Sequence, residues 1–215
     1  MLRFACLGAL LLALLNLLSA SATRRDPPVS TYYNLRGKKI SLPGENYSKK
    51  FIVLTSSENP AIIEKMIRRH MVIALPTNAI LDSMTLAFDR SLDSGTEFLF
   101  LVGKNDSVSY ITQGSDTEVV AGPEVRSDLA ENKHDIPAYT VHVHERYPRS
   151  GVNSDPDPSP EDRHPANFRD RTMASVVLGY YEQDDPMITF YYLNYTEKLT
   201  FSDFKRLVKK ISTAP

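Results

Sequence analysis

The chain has 215 residues, with 25 Lys and Arg against 26 Asp and Glu and a net charge of −1. Acids and bases are interspersed and no basic stripe interleaves with aromatics, which excludes an electrostatic nucleic-acid binder. The one cysteine, Cys6, sits in the N-terminal apolar stretch, so no disulfide staples the rest and core packing must hold it.

Met1 to Ala22 reads as a secretory signal peptide. Arg3 supplies the charged start, Leu7 to Leu18 the apolar run, and Ala20-Ser21-Ala22 the small-residue cleavage site. That run is short for a bilayer and no later segment is long and apolar enough, so the expectation is a secreted, extracellular chain with no membrane span. Asn46, Asn105 and Asn194 each open an N-x-S/T sequon, an expectation of glycosylation in a secreted eukaryotic protein. Residues 23–50 read as a polar extended leader, and 51–215 as one domain.

Phe51 to Leu54 reads as a short strand. Pro60 to Met71 carries Ile62, Ile63, Met66 and Ile67 at helical spacing behind an Asn59-Pro60 start, with His70 as a charge partner for the helix end. Asn78 to Leu92 is the clearest helix, capped by Asn78 and ended by Asp93-Ser94-Gly95. Thr96 to Gly103 is a nearly unbroken apolar run, as burial on both faces requires, with Glu97 at its head. Ser107 to Thr112 is expected to pair back as a hairpin, and 114–134 is polar and irregular apart from 117–121. Ala174 to Tyr181 and Met187 to Leu193 are two further strands, whose tyrosines read as core or cleft wall. Thr200 to Ile211 closes the chain as an amphipathic helix.

The chemistry concentrates between Pro137 and Asp162. Ala138 to His144 is β-branched and aromatic, a strand in which His142 and His144 share one face about 7 Å apart along the chain. Two imidazoles on one face can share a divalent ion. After a Gly/Pro/Asp/Ser-rich loop, Ser159 followed by Pro160 predicts a short helix, with Asp162 in its first turn and able to face back to the histidines. His164 reads as a surface histidine.

The order of a helix, a glutamate at a strand, H-x-H on a later strand and then S-x-x-D resembles the JAMM (JAB/MPN-domain) metalloprotease superfamily. The PSPED string holding Ser159 and Asp162 is similar to one in its RadC-type branch, and toxin-associated JAB-like domains share the compact arrangement. The resemblance spans about 61–211, and five residues carry its specific part. It implies an α/β fold, a mixed twisted sheet sandwiched by helices in the cytidine-deaminase-like architecture, with the strands of Glu97 and His142 as near neighbours. It implies that His142, His144 and Asp162 hold one Zn²⁺ with a fourth position for water. Glu97 is then the general base, and Ser159 the hydrogen-bond donor to the oxyanion. The reaction implied is hydrolysis of an amide or isopeptide bond in a protein or peptide substrate.

Two positions depart from the family pattern. Glu145 stands where a proline follows the second histidine, and the interval from His144 to Asp162 is longer than usual. An insertion within ERYPRSGVNSDPD restores the register. Asp155 is the alternative third ligand, but Val152 then stands where the motif serine belongs, so Asp162 is preferred. A signal peptide argues against ubiquitin-like substrates. The rival expectation, of a different class, is a secreted binding or effector protein that keeps the fold without catalysis.

Overall fold

The computed structural model describes residues 31–41, 49–144, 156–169, 171–180 and 185–214. The signal-peptide reading, Asn46, Glu145 and Asp155 lie outside them. The described chain is mixed α/β, built on two mixed sheets and four α-helices. None of these helices is long and apolar enough to cross a membrane.

The smaller sheet runs in the order β2-β1-β3-β4, with β1 Thr31–Tyr33, β2 Lys39–Ser41, β3 Lys50–Val53 and β4 Val72–Ala74. Part of the stretch read as a leader is therefore sheet: β1 pairs in parallel with β3. Helix α1, Pro60–Arg68, is shorter than its periodicity predicts. His70 adopts a positive φ of 56°, which ends the helical path and turns the chain into β4. Its N–H donates to the Ile67 carbonyl in the last helical turn at 2.9 Å, while its ring reaches away from the helix. Its Nδ1 donates to the Thr172 carbonyl at 3.1 Å, and its ring lies 4.7 Å from that of Tyr192.

The larger sheet runs β10-β9-β8-β7-β5-β6. Its strands are β5 Phe98–Gly103, β6 Thr112–Gln113, β7 Pro137–Val143, β8 Ser175–Gly179, β9 Met187–Tyr192 and β10 Tyr195–Thr200. The pairing of β7 with β8 is parallel and every other pairing is antiparallel. The expected hairpin after β5 narrows to a single bridge, Val102 to Val108, before β6. The irregular stretch after it holds helix α3, Pro123–Ser127, and one π-turn, Asp128–Asn132. Strand β10 was not legible, because its polar outward residues blur the two-residue period of an edge strand.

One face of the larger sheet is apolar. Phe98, Phe100 and Val102 of β5, Val141 and Val143 of β7, Val176 and Leu178 of β8, and Ile188 and Phe190 of β9 join one core. Helix α2, Asn78–Ser94, and helix α4, Phe201–Ser212, bring Met84, Phe88, Phe204 and Ile211 into it. Both helices are sharply bounded. Thr77, rather than Asn78, caps α2 through its side chain, and Gly95 at φ 63° closes it. Thr200 caps α4 by accepting from the Asp203 N–H. The same core takes in Ile52, Leu54 and Ile73 from the smaller sheet, so both sheets share one interior.

Candidate metal centre

The opposite face of the larger sheet carries the site, and strand register orders it in rows. Leu99 pairs with His142, His142 with Val177, and Val177 with Thr189. Carrying the β5–β7 register one step further sets Glu97 opposite His144, one row toward the open end. Alternation puts all of these side chains on one face, away from the apolar core. Glu97 itself lies just before β5, held by reciprocal backbone bonds of 2.8 Å with Ser115 and Gly114.

The Ser159–Asp162 segment reaches this row from outside the sheet. The sequence predicts a short helix there; the chain makes one turn, and regular structure follows only at the 3-10 turn Pro165–Phe168. Ser159 and Asp162 still make the reciprocal bonds of a helix start. The Ser159 N–H donates to Asp162 Oδ2 at 2.8 Å, and the Asp162 N–H donates to Ser159 Oγ at 3.1 Å. The segment is pinned to β9 by Phe168, buried edge-on to Tyr191 at 5.8 Å, and by Arg163, which donates to the Leu193 carbonyl at 3.3 Å. His164 is exposed and caps the 3-10 turn, accepting from the Ala166 N–H.

Three ligand atoms converge. His142 Nε2 and His144 Nε2 are 3.2 Å apart, and Asp162 Oδ2 lies 3.4 Å from the first and 3.9 Å from the second. Ligands 2.0–2.1 Å from a tetrahedral zinc stand about 3.3–3.4 Å from one another, so this triangle has the size of one face of such a site. The trio can hold a metal ion. All three expected ligands are thus brought together.

Burial and charge act in opposite directions here. Burial pulls the His142 imidazole down, yet the Asp162 carboxylate and, further off, Glu97 outweigh it and hold its pKa above 6.5. Burial pushes the Asp162 carboxyl up, but His142, the Ser159 N–H and His144 outweigh that and hold it well below 3.8. Without metal, the site is a carboxylate facing an imidazole that readily keeps a proton. A divalent cation replaces that proton with more charge at the same place.

Glu97, Ser159 and the three ligands line one cleft of about 820 Å³, walled on one side by 116–121. The cleft also holds residues that sequence reasoning did not single out as functional. Tyr191 packs edge-on to His142 at 6.2 Å. Thr140 lies two residues before His142 on the same face, a position the strand period alone could have flagged. Arg171 had no local signal, since it lies in irregular chain just before β8.

Comparison of the chain with protein-family models, curated proteins and solved structures finds no match.

Proposed function

We propose that this chain is a secreted, zinc-dependent hydrolase of amide or isopeptide bonds, of the JAMM kind that its motif order resembles. The observation that carries the reading is the convergence of two imidazole nitrogens and one carboxylate oxygen at the floor of an open cleft, with a second carboxylate, Glu97, in the same cleft. Two imidazoles and a carboxylate with an open side form the donor set that suits catalytic zinc.

Zinc held by His142, His144 and Asp162 supplies Lewis acidity, polarising a carbonyl and bringing the pKa of a neighbouring water to about 7. The remaining work belongs to the chain. Glu97 accepts the proton of the attacking water and returns it to the departing amine, which leaves as a neutral group. The Ser159 hydroxyl accepts from the Asp162 N–H, so its own proton is directed elsewhere and is available to the developing oxyanion. Tyr191 and Val177 wall the histidines on the β8–β9 side and exclude water from behind them.

The rival, a secreted binding or effector protein that keeps the fold without catalysis, rests on Glu145 in place of the family proline and on the long interval from His144 to Asp162. The deciding experiment has two stages. Elemental analysis of the purified chain, against a chelator-treated control, is expected to find one zinc per chain. The zinc-loaded protein, given an unbiased library of peptides and isopeptides, is expected to cleave a subset that the chelated control leaves intact. Zinc without cleavage supports the binding protein, and absence of metal sinks the hydrolase.

A further inference from the structure

One row of the sheet beyond His142, the cleft floor changes character. Leu101 pairs with Thr140 and Ser175 with Tyr191, and the parallel register of β7 on β8 sets Thr140 beside Ser175. This row lies about 7 Å from the His142 row, two residues along each strand.

Two polar groups here lack matching partners. The Thr140 hydroxyl is buried, with the residue 3% exposed, and has no hydrogen-bond partner among the described residues. Arg171 lines the same cleft and, among the described residues, its guanidinium makes one hydrogen bond, from Nη1 to Ser175 Oγ at 2.8 Å. A guanidinium has five N–H donors in a planar fork, so most of its capacity meets no acceptor among the described residues. No carboxylate among the described residues forms an ion pair with it within 4.0 Å. A half-buried cation with spare donors, in the same cleft as a buried hydroxyl that has no partner among the described residues, is costly unless something completes it.

We propose that Arg171 and Thr140 form a carboxylate-binding subsite, which makes the substrate of this cleft a peptide with a carboxylate within about one or two residues of the scissile bond. The Arg171 fork takes the two carboxylate oxygens side by side, and Thr140 donates to one of them. The separation from His142 sets the position: one residue of extended peptide advances about 3.3 Å, so a carboxylate seated here leaves an adjacent peptide carbonyl near the ligand triangle. Burial pulls the Arg171 guanidinium down to about 10; Tyr191 opposes this, nearby Arg126 adds to it, and Asp162 opposes it. A bound anion reverses that penalty. Glu97, Asp116, Glu118, Asp157, Glu161 and Asp162 also line the cleft, so Arg171 and Arg126 are its cationic groups among many acids.

This inference deepens the hydrolase reading by naming a substrate class, yet its test does not depend on turnover. Three probes are titrated by calorimetry into the full chain: acetyl-Ala-Gly with a free C-terminus, acetyl-Ala-Gly amide, and acetyl-Ala-Glu amide. Both zinc-loaded and chelator-treated protein are used, since metal-free protein cannot hold a carboxylate through the ion. The wild type is expected to bind at least one carboxylate probe about tenfold more tightly than the neutral amide in both states. Preference for the free C-terminus identifies a main-chain carboxylate, and preference for the Glu probe an acidic side chain; either supports the subsite. Arg171→Gln is expected to abolish the discrimination, Arg171→Lys to keep part of it, and Thr140→Val to weaken it while leaving zinc content unchanged. Equal binding of acid and amide by the wild type overturns the subsite even if peptides are cleaved. Discrimination that survives in a folded Arg171→Gln overturns it too. Carboxylate binding without any cleavage retains the subsite and sinks the hydrolase.

Discussion

Ser159 and Asp162 hold each other through two backbone-to-side-chain bonds, and this pair fixes the carboxylate that faces both histidines. The Ser159 N–H and His142 meet the same atom, Asp162 Oδ2, from different directions. That is how a one-turn segment aims a carboxylate without a helix to hold it. Ser159→Ala removes the acceptor of the Asp162 N–H but leaves the Ser159 N–H in place. Zinc affinity, read by competition with a chromophoric chelator, is expected to fall roughly 10- to 100-fold. Asp162→Ala removes a ligand and is expected to cost more than that. An unchanged zinc affinity in Ser159→Ala would mean that the pair does not position the carboxylate.

Glu97 separates metal holding from proton transfer. Glu97→Gln keeps shape and polarity and removes the proton acceptor. Zinc content is expected to persist, while cleavage of any peptide turned over by the wild type drops by a factor of about 10²–10⁴. His142→Ala is expected to lose zinc and cleavage together. A Glu97→Gln variant with wild-type rates would exclude the glutamate as base.

The pH behaviour of the metal-free chain follows from two opposed shifts. His142 is held above 6.5 in the folded state, so its contribution is full below 6.5 and fades as pH rises through the folded value. Asp162 is held below 3.8, so its contribution is full above 3.8 and fades as pH falls through its folded value. The pair therefore supports the fold most between 3.8 and 6.5. Melting temperatures of chelator-treated wild type and Asp162→Asn across this range are expected to differ most inside the window and to converge toward higher pH. With metal present, protons compete for His142, so zinc affinity is expected to rise with pH through the imidazole range.

A structural test lies away from the site. Asp135 is buried and accepts from the Asn105 N–H at 2.9 Å, from Asn105 Nδ2 at 3.2 Å and from its neighbour's Ile136 N–H at 2.8 Å. It thereby ties the turn after β5 to the start of β7, the strands beside Glu97 and the two histidines. A Cβ on Gly103 would stand 2.1 Å from Asp135 Oδ2, so glycine is required by close approach. Asp135→Ala leaves backbone donors unsatisfied and is expected to destabilise by about 2–4 kcal/mol in urea unfolding. Gly103→Ala is expected to destabilise as well, by pushing the carboxylate from its donors. A wild-type urea midpoint for Asp135→Ala would show that the turn holds without it.

Local periodicity carried much of this protein. The two-residue period of β7 put His142 and His144 on one face, and the apolar run of β5 placed Glu97 at a strand head, because strand geometry ties side-chain direction to sequence parity. Helices α2 and α4 were legible for the same reason, with an apolar stripe between a cap and a stop. Where the chain depends on distant partners, the sequence was silent or misleading. The helical pattern ran on to Met71 yet the helix stopped at Arg68, since His70 turns the chain into β4, which pairs with β3. Ser159-Pro160 signalled a helix and formed one turn, since Phe168 and Arg163 anchor the segment to β9 before a helix can extend. The meeting of Asp162 with the histidines across 18 positions was decided by the anchoring of its segment, and the placing of Thr140 beside Ser175 by strand register. Register is set by long-range pairing and burial, and no window of sequence contains it.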